Sequence, residues 1–277
     1  VVGVEVKQAI KTRSDILLAV ASVTFKEWGA YRSHSMVSIF VGPVFFVVQY
    51  FIWTAVFAGG GMPGMELDEV IRYFAATALI GYLVMDFADW NLSMLVRTGK
   101  FLTFSLRPPN HSFFALSQKV GHRILGFLAE FLPCYLIFMF VFGIDMRPTY
   151  IGWVLVSVAL AFLMNFYVNY SIGLVSFWVV QSGGIRRVYS LFGGIFSGAL
   201  IPLVFFPQSL QWVQFFLPFQ YTSFVPAMVF LGRYELGGIE MSIPAIVGIQ
   251  AIAVLVAFAF CELLNSFAMK KFTAVGA

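Results

Sequence analysis

Six stretches of the chain are apolar for long enough to cross a lipid hydrocarbon core, and polar clusters separate them. A core of about 30 Å needs about 20 residues of helix at about 1.5 Å each. The runs at 36–58, 70–90, 123–142, 150–180, 188–206 and 243–269 meet that length. The pattern predicts an all-α polytopic membrane protein, one domain over residues 1–277, with six transmembrane helices. Ahead of the first run, residues 12–32 mix Ile16, Leu17, Val20, Val23 and Trp28 with Lys26, Glu27 and Arg32. That mixture predicts an N-terminal interfacial helix on the inner leaflet. The acidic, Gly- and Pro-rich stretch at 59–69 predicts a short outer connection. The longest polar segment, 94–122, predicts a cytoplasmic loop in which Pro108-Pro109 ends any preceding helix. Asn110 or His111 then starts the next helix, with Ser112 in its first turn.

One apolar stretch does not behave like a span. Residues 197–232 are interrupted by Pro202, Pro207, Pro218 and Pro226. A span ending near Pro207, followed by short re-entrant helices over 208–232, satisfies that backbone better than one straight helix. Broken helices persist at membrane depth only where protein or a cavity covers the freed groups.

Charge fixes the expected orientation. Of 17 Lys and Arg residues, Arg72, Arg147 and Arg233 fall in outer connections when the N-terminus is placed inside; the other fourteen fall on the inner side. Basic residues collect on the cytoplasmic side of membrane proteins. The split puts both termini in the cytoplasm, in an inner (cytoplasmic) bacterial membrane, and implies an even number of spans. Composition agrees. Hydrophobic residues make up 60% and charged residues 11%, against about 45–50% and about 25% in soluble domains. The net charge of +4 is explained by this asymmetry and gives no reason to expect a nucleic-acid partner. Cys134 and Cys261 lie in apolar runs, where free Cys acts as a small hydrophobe.

Catalytic and nucleotide motifs are absent. No G-x-x-x-x-G-K-[ST] or H-E-x-x-H occurs, and Gly59-Gly60-Gly61 lacks the following Lys-Ser or Lys-Thr of a phosphate loop. His34, His111 and His122 lack metal-ligand spacing, so no metal is expected. Polar residues inside spans are the remaining candidates. Asn165 and Asn169, at i and i+4, share one face of the fourth run. Asp86, Asp89, Glu130 and Glu262 lie in or near spans. Each either pairs with a nearby base (Arg97, Arg123 or Lys270) or contacts a substrate or proton.

Three groups of residues carry a family resemblance. The first is Tyr31-Arg32 ahead of a span with Phe51-Ile52-Trp53. The second is Gly99-Lys100-Phe101 followed by Leu106-Arg107-Pro108. The third, the most specific, is Ser197-Gly198, Ile201-Pro202, Phe205-Phe206-Pro207, Leu217-Pro218-Phe219 and Pro226. Together they run over nearly the whole chain, which resembles the six-span permeases of ABC-2 type transporters. The resemblance implies one half of a dimeric channel, with a second permease chain, identical or related, as the other half. It implies export of a hydrophobic or amphipathic substrate. A separate ABC ATPase, carrying ATP and Mg, would dock on a coupling segment containing Arg97, Gly99, Lys100, Phe104, Leu106, Arg107 and Pro108. Asn165 and Asn169, with Asp86 and Glu130, would face the translocation path. The re-entrant motif would comprise Ser197, Gly198, Pro202, Pro207, Pro218, Phe219 and Pro226. No catalytic residue or cofactor is implied on this chain. A proton- or sodium-coupled secondary transporter is the alternative, drawing on Glu130 and the broken 197–232 segment; a membrane scaffold ranks below both.

Overall fold

The second apolar run begins earlier than its hydropathy suggests, because Glu66 caps it. In the computed structural model, which describes residues 2–29, 38–105, 110–179 and 183–272, Glu66 and Glu69 form a reciprocal capping box at the start of helix Leu67–Val84. The Glu66 backbone N–H donates to Glu69 Oε2 at 3.2 Å, satisfying a group the helix itself leaves open. Among the described residues, five helical segments are long and apolar enough to cross a membrane: Val41–Ala58, Leu67–Arg97, His111–Phe140, Ile151–Phe177 and Ile243–Lys271. They are called the first to fourth spans and the last span below.

Three expectations change in the structure. The segment 94–122 is not a loop. It holds the end of helix Ala88–Arg97, a helical turn Leu102–Ser105 and helix His111–Gly126. The third span therefore starts at His111, where the Asn110 side chain accepts from Ser112 N–H at 3.3 Å, not at Arg123. Its buried stripe is His111, Ala115, Lys119 and Arg123, one residue every four. Lys119 and Arg123, charges that suggest a solvated loop, point inward. Second, the run at 188–206 is not one helix. Helix Gly183–Phe196 has 14 residues, about 21 Å at 1.5 Å each, and Ser197-Gly198 ends it with Gly198 at φ +81°. Third, the N-terminal helix is longer than 12–32 suggests at its start: it covers Val2–Gly29, and residues 30–37, including Tyr31 and Arg32, lie outside the described residues. It packs along helix His111–Gly126 so closely that a Cβ on Gly121 would lie 2.3 Å from the Ala21 carbonyl oxygen.

The third span carries a π-helical turn at Phe127–Phe131. Pro133 has no N–H to offer, and a wider turn just ahead of it shifts the hydrogen-bond register. The 197–232 segment folds as short pieces, each started by a proline. Pro202 precedes the 3₁₀ turn Leu203–Phe205, Pro207 precedes helix Gln208–Phe216, Pro218 opens the 3₁₀ turn Pro218–Thr222, and Pro226 sits in the first turn of helix Phe224–Leu231. Side-chain amides hold these pieces. Buried Gln250 of the last span donates to the carbonyls of Ser157 and Tyr221 at 3.0 and 2.9 Å, and accepts from Ser157 Oγ at 2.8 Å. Gln220 donates to Phe215 O at 2.7 Å and accepts from Tyr234 Oη at 2.9 Å. Burial pushes the Tyr234 phenol above its ordinary value, so it stays a donor. Strands β1 (Glu235–Leu236) and β2 (Ile239–Glu240) form an antiparallel hairpin that leads into the last span.

The two ends of the bundle differ. Arg72 donates to the Asp145 and Arg147 carbonyls at 3.1 and 3.3 Å, and Arg233 pairs with Glu69 at 2.8 Å. The three basic residues expected outside thus gather at one end. The opposite end holds Ser112 Oγ donating to Glu262 at 3.2 Å.

The Gly121 contact gives a direct test. Gly121→Val forces a side chain into the Ala21 backbone and should cost about 1–3 kcal/mol, read by denaturant unfolding of the purified protein in detergent. Gly248→Ala, where nothing lies within 4 Å, should be neutral or stabilise by up to about 1 kcal/mol. Equal effects would show that the N-terminal helix does not pack there.

Candidate functional site

The second span is helical to Val84, extended at Met85 and helical again from Ala88. A break at membrane depth frees backbone groups that lipid cannot satisfy. Side chains from two other helices answer them. Arg123 Nη1 donates to the Tyr82 carbonyl. Asn165 Nδ2 donates to the Val84 carbonyl at 2.6 Å. Asn169 Nδ2 donates to Asn165 O and Oδ1 at 2.9 and 3.0 Å, turning the Asn165 amide nitrogen toward the break. Asp86 Oδ2 accepts from Ala88 N–H at 3.2 Å and so starts the second half of the span. Tyr82 Oη accepts from Gly42 N–H at 2.6 Å and lies 2.8 Å from the Ser38 carbonyl, tying the break to the start of the first span.

Two ion pairs close around it. Lys119 Nζ lies 2.9 Å from Asp86, whose side chain is fully buried. Arg186 Nε lies 2.9 Å from Asp89. These are not the expected partners: Arg97 is exposed, Arg123 goes to Tyr82 and its neighbour His122, and Glu262 accepts from Ser112. The break reorients the chain at 85–87, so Asp86 and Asp89 face the third span and helix Gly183–Phe196. Asp86, Asn165 and Asn169 are thus brought together. Glu130 lies at their edge, in the π-helical turn. A Cβ on Gly126 would lie 3.3 Å from Glu130 Oε2 and 3.7 Å from Arg123 Nη1. Lys119, Arg186 and Tyr82 were missed as members of this cluster, whereas Arg123 was expected beside its acids. The spacing of His111, Ala115, Lys119 and Arg123 was the available signal.

Helix Ala88–Arg97 leads from this cluster to a tight turn. Gly99 adopts φ +70°, which glycine accepts without a Cβ clash. Its N–H donates to Val96 O at 3.1 Å, and Phe101 N–H donates to Leu95 O at 3.1 Å. Phe101 is buried against His111, Phe177 and Phe272, with ring centroids 5.1–5.3 Å apart. His111 Nδ1 lies 2.8 Å from Tyr170 Oη. Phe104 packs on His111 and Phe114 at 4.9 and 5.3 Å. The turn is therefore anchored from beneath, while Arg97, Thr98, Lys100, Leu102 and Thr103 are exposed on it. Leu106, Arg107 and Pro108 lie outside the described residues.

The Ser197-Gly198 pair is a junction. Ser197 O accepts from Phe224 N–H at 2.9 Å and Gly198 O accepts from Tyr73 Oη at 2.7 Å. A Cβ on Gly198 would lie 2.6 Å from Tyr73 Oη. Phe219 packs on Tyr189 and Phe196 at 5.5 and 6.4 Å. Beside it, an apolar groove of about 850 Å³ runs between the fourth and last spans, lined by Val168, Tyr189, Phe219, Ile249, Val256 and Phe260 among others.

A family model described as ABC-2 family transporter protein matches residues 44–276. The chain belongs to the ABC-2 transporter family. The match covers every described element from the first span to the last span, including the broken second span and the proline-started pieces. No curated protein and no solved structure matches it. Family membership makes this a multi-pass membrane protein of the permease type, and permeases of this family generally partner with an ABC ATPase.

The Asp86–Lys119 pair can be tested on the ABC-2 chain alone. Lys119→Met leaves a buried carboxylate without its cation and should lower stability by about 3–5 kcal/mol. The double variant Asp86→Asn/Lys119→Met should recover most of that loss in a double-mutant cycle. Additive losses would mean that the two side chains are not coupled.

Proposed function

We propose that this chain is the membrane-spanning subunit of an ATP-driven exporter that moves a hydrophobic or amphipathic substrate out of the cytoplasm. ATP hydrolysis, with its Mg, takes place on a separate ABC ATPase subunit. Two permease chains, identical or related, form the channel. The observation that carries this reading is the anchored turn at residues 98–104. It offers exposed Arg97 and Lys100 on a base of packed aromatic rings, at the end of the molecule opposite Arg72, Arg147 and Arg233. An exposed basic turn on a rigid base suits docking into an acidic groove of a soluble partner. Residues 97–109, including Gly99, Phe104, Leu106, Arg107 and Pro108, form this coupling segment. Phe104 and Gly99 shape the turn from within; Arg97, Lys100, Leu106 and Arg107 meet the ATPase.

The proposed topology has six crossings, with both termini in the cytoplasm of a bacterial inner membrane. The fifth is built from Gly183–Phe196 and continues through the broken 197–206 stretch; the pieces from Gln208 to Leu231 re-enter the outer leaflet. The excess of Lys and Arg on the side of the coupling turn, fourteen against the three arginines at the other end, supports this placement. The apolar groove with its aromatic end wall supports a hydrophobic or amphipathic substrate. In the working cycle, closure of the ATPase pair moves the coupling turn, and helix Ala88–Arg97 pivots about the break at 85–87. The polar cluster of Asp86, Asn165 and Asn169, with Glu130 at its edge, borders the path that opens.

Charge reversal tests the docking face. The double variant Arg97→Glu/Lys100→Glu should weaken association with the co-expressed ATPase about tenfold or more, because like charges set against an interface cost several kcal/mol. Leu106→Ala/Arg107→Ala should uncouple transport in the same way. Arg147→Glu, at the other end, should leave association unchanged. The measurement is co-purification of the ATPase and nucleotide-driven transport in proteoliposomes. Normal association in the first two variants would remove the docking assignment.

A further inference from the structure

Helix Gly183–Phe196 is the least anchored of the membrane-depth helices. None of its residues is buried. Ile185, Val188, Leu191, Phe192 and Ile195 form one exposed apolar stripe at helical spacing. Hydrophobic packing within this chain therefore does not fix its position. Two kinds of contact do. At its middle and its C-terminal end, Tyr189 and Phe196 meet the Phe219 ring at 5.5 and 6.4 Å, and the carbonyl groups of the Ser197-Gly198 junction follow. At its first turn a charged contact joins Arg186 Nε to Asp89 Oδ2 at 2.9 Å.

The other end of that ion pair sits on a lever. Asp89 lies in the first turn of helix Ala88–Arg97, and its side chain is 4% exposed while that of Arg186 is 37% exposed. Asp86, the neighbouring acid, is already answered by Lys119. Asp89 thus faces Arg186 across the boundary between the two helices. From Asp89 to Arg97 the helix rises about 12 Å at 1.5 Å per residue, straight to the coupling turn. Opposite Arg186, the Asp89 backbone rests on the fourth span with no side chain between: a Cβ on Gly173 would lie 3.0 Å from Asp89 Cα. Leu92 Cβ lies almost as near the same point, at 3.1 Å, so the helix is a closely packed unit, and the ion pair goes with it when it moves.

We infer that the Asp89–Arg186 ion pair is the tie through which movement of the coupling turn reaches helix Gly183–Phe196. Asp89 and Arg186 are positioning residues in this role, and the inference rests on the permease reading above. An ion pair with one partner buried holds its separation strongly, because parting the charges leaves Asp89 desolvated and unpaired. Rigid displacement of helix Ala88–Arg97 therefore displaces Arg186 and the first turn of its helix. The ring contacts at Phe219 keep the other end in place, so the motion is a tilt, and the exposed stripe from Ile185 to Ile195 swings with it. Coupling between two sites requires an element that both bias; here that element is the tilted helix.

The test uses the permease assembled with its ATPase in proteoliposomes. Asp89→Asn and Arg186→Gln should each retain ATPase association while transport per ATP hydrolysed falls about tenfold or more, within the usual range of coupling effects. Arg186→Lys, which keeps the charge, should recover much of the loss. If Asp89→Asn or Arg186→Gln alone fails to fold, the neutral pair Asp89→Asn/Arg186→Gln, which leaves no buried charge unmatched, carries the test. A second readout separates coupling from mere support of the fold. Spin labels at Met94, exposed on helix Ala88–Arg97, and at Leu191 should both shift between the nucleotide-free and nucleotide-trapped states of the complex. In the neutral pair the label at 94 should still shift and the label at 191 should not. Joint movement of both labels in the neutral pair, or unchanged transport per ATP, overturns the tie while leaving the permease reading intact. Failure of the native chain to associate with any ATPase sinks the permease reading and the tie with it.

Discussion

The break in the second span governs the rest of the molecule. At membrane depth a helix can stop only if other groups satisfy the carbonyls and N–H groups it releases. The carbonyls of Tyr82 and Val84 are met by Arg123 and Asn165, and Asp86 caps the helix that resumes at Ala88. Each solution brings another helix into place. Arg123 and Lys119 fix the face that the third span turns inward. Asn165 and Asn169 fix the rotation of the fourth span, and Asp89 draws in Arg186. The polar residues of the interior are therefore not scattered exceptions to an apolar rule. They are the donors and counter-charges that one interrupted helix requires.

This explains what the sequence did and did not reveal. Long apolar runs are a strong signal, and helices stand where the first, second, fourth and last runs lie, although the second continues to Arg97, seven residues past the end of its run. The third span was legible only in its outer half. Its inner half carries Lys119 and Arg123, which lower hydropathy as solvent-exposed residues would, although both are buried against the second span. The difference lay in their period of four with His111 and Ala115, a helical cue inside an apparently polar loop. The break at 85–87 left no such cue, since no proline or glycine marks it. Its cause is tertiary: the partners of Tyr82 and Val84 lie 41 and 81 residues away. Asn165 and Asn169 were correctly placed on one face, but their direct partners, a backbone carbonyl and each other, follow only from the folded arrangement.

The proline-rich segment shows the opposite balance. Pro202, Pro207, Pro218 and Pro226 announced short pieces, and each does stand at or near the start of one, where its missing N–H costs nothing. What the prolines could not show is how the pieces are held. Gln250, Gln220, Gln211 and Tyr73 do this by bonding to backbone carbonyls that short helices leave open. Glutamine is long enough to reach a carbonyl from a neighbouring element, and its amide carries both donors and an acceptor. Gln250 uses both kinds at once, on Ser157 and Tyr221. A segment that cannot satisfy itself is thus fastened to the fourth and last spans, which form a firm wall.

Against that wall the looseness of helix Gly183–Phe196 acquires meaning. The second span is fastened by the first, third and fourth spans. The proline-started pieces are fastened by the fourth and last. Beside these elements lies one helix with no buried residue, held by the Asp89–Arg186 ion pair, by aromatic contact with Phe219 and by the Ser197-Gly198 junction, which Tyr73 of the second span also grips. In a bundle packed like a crystal, a displacement imposed at one end must appear where packing is weakest. A hinge in the second span and an unburied helix beside it are therefore parts of one arrangement. The break supplies the freedom to move, the polar cluster keeps that freedom from exposing backbone to lipid, and the loosely held helix is the element on which the movement can be felt.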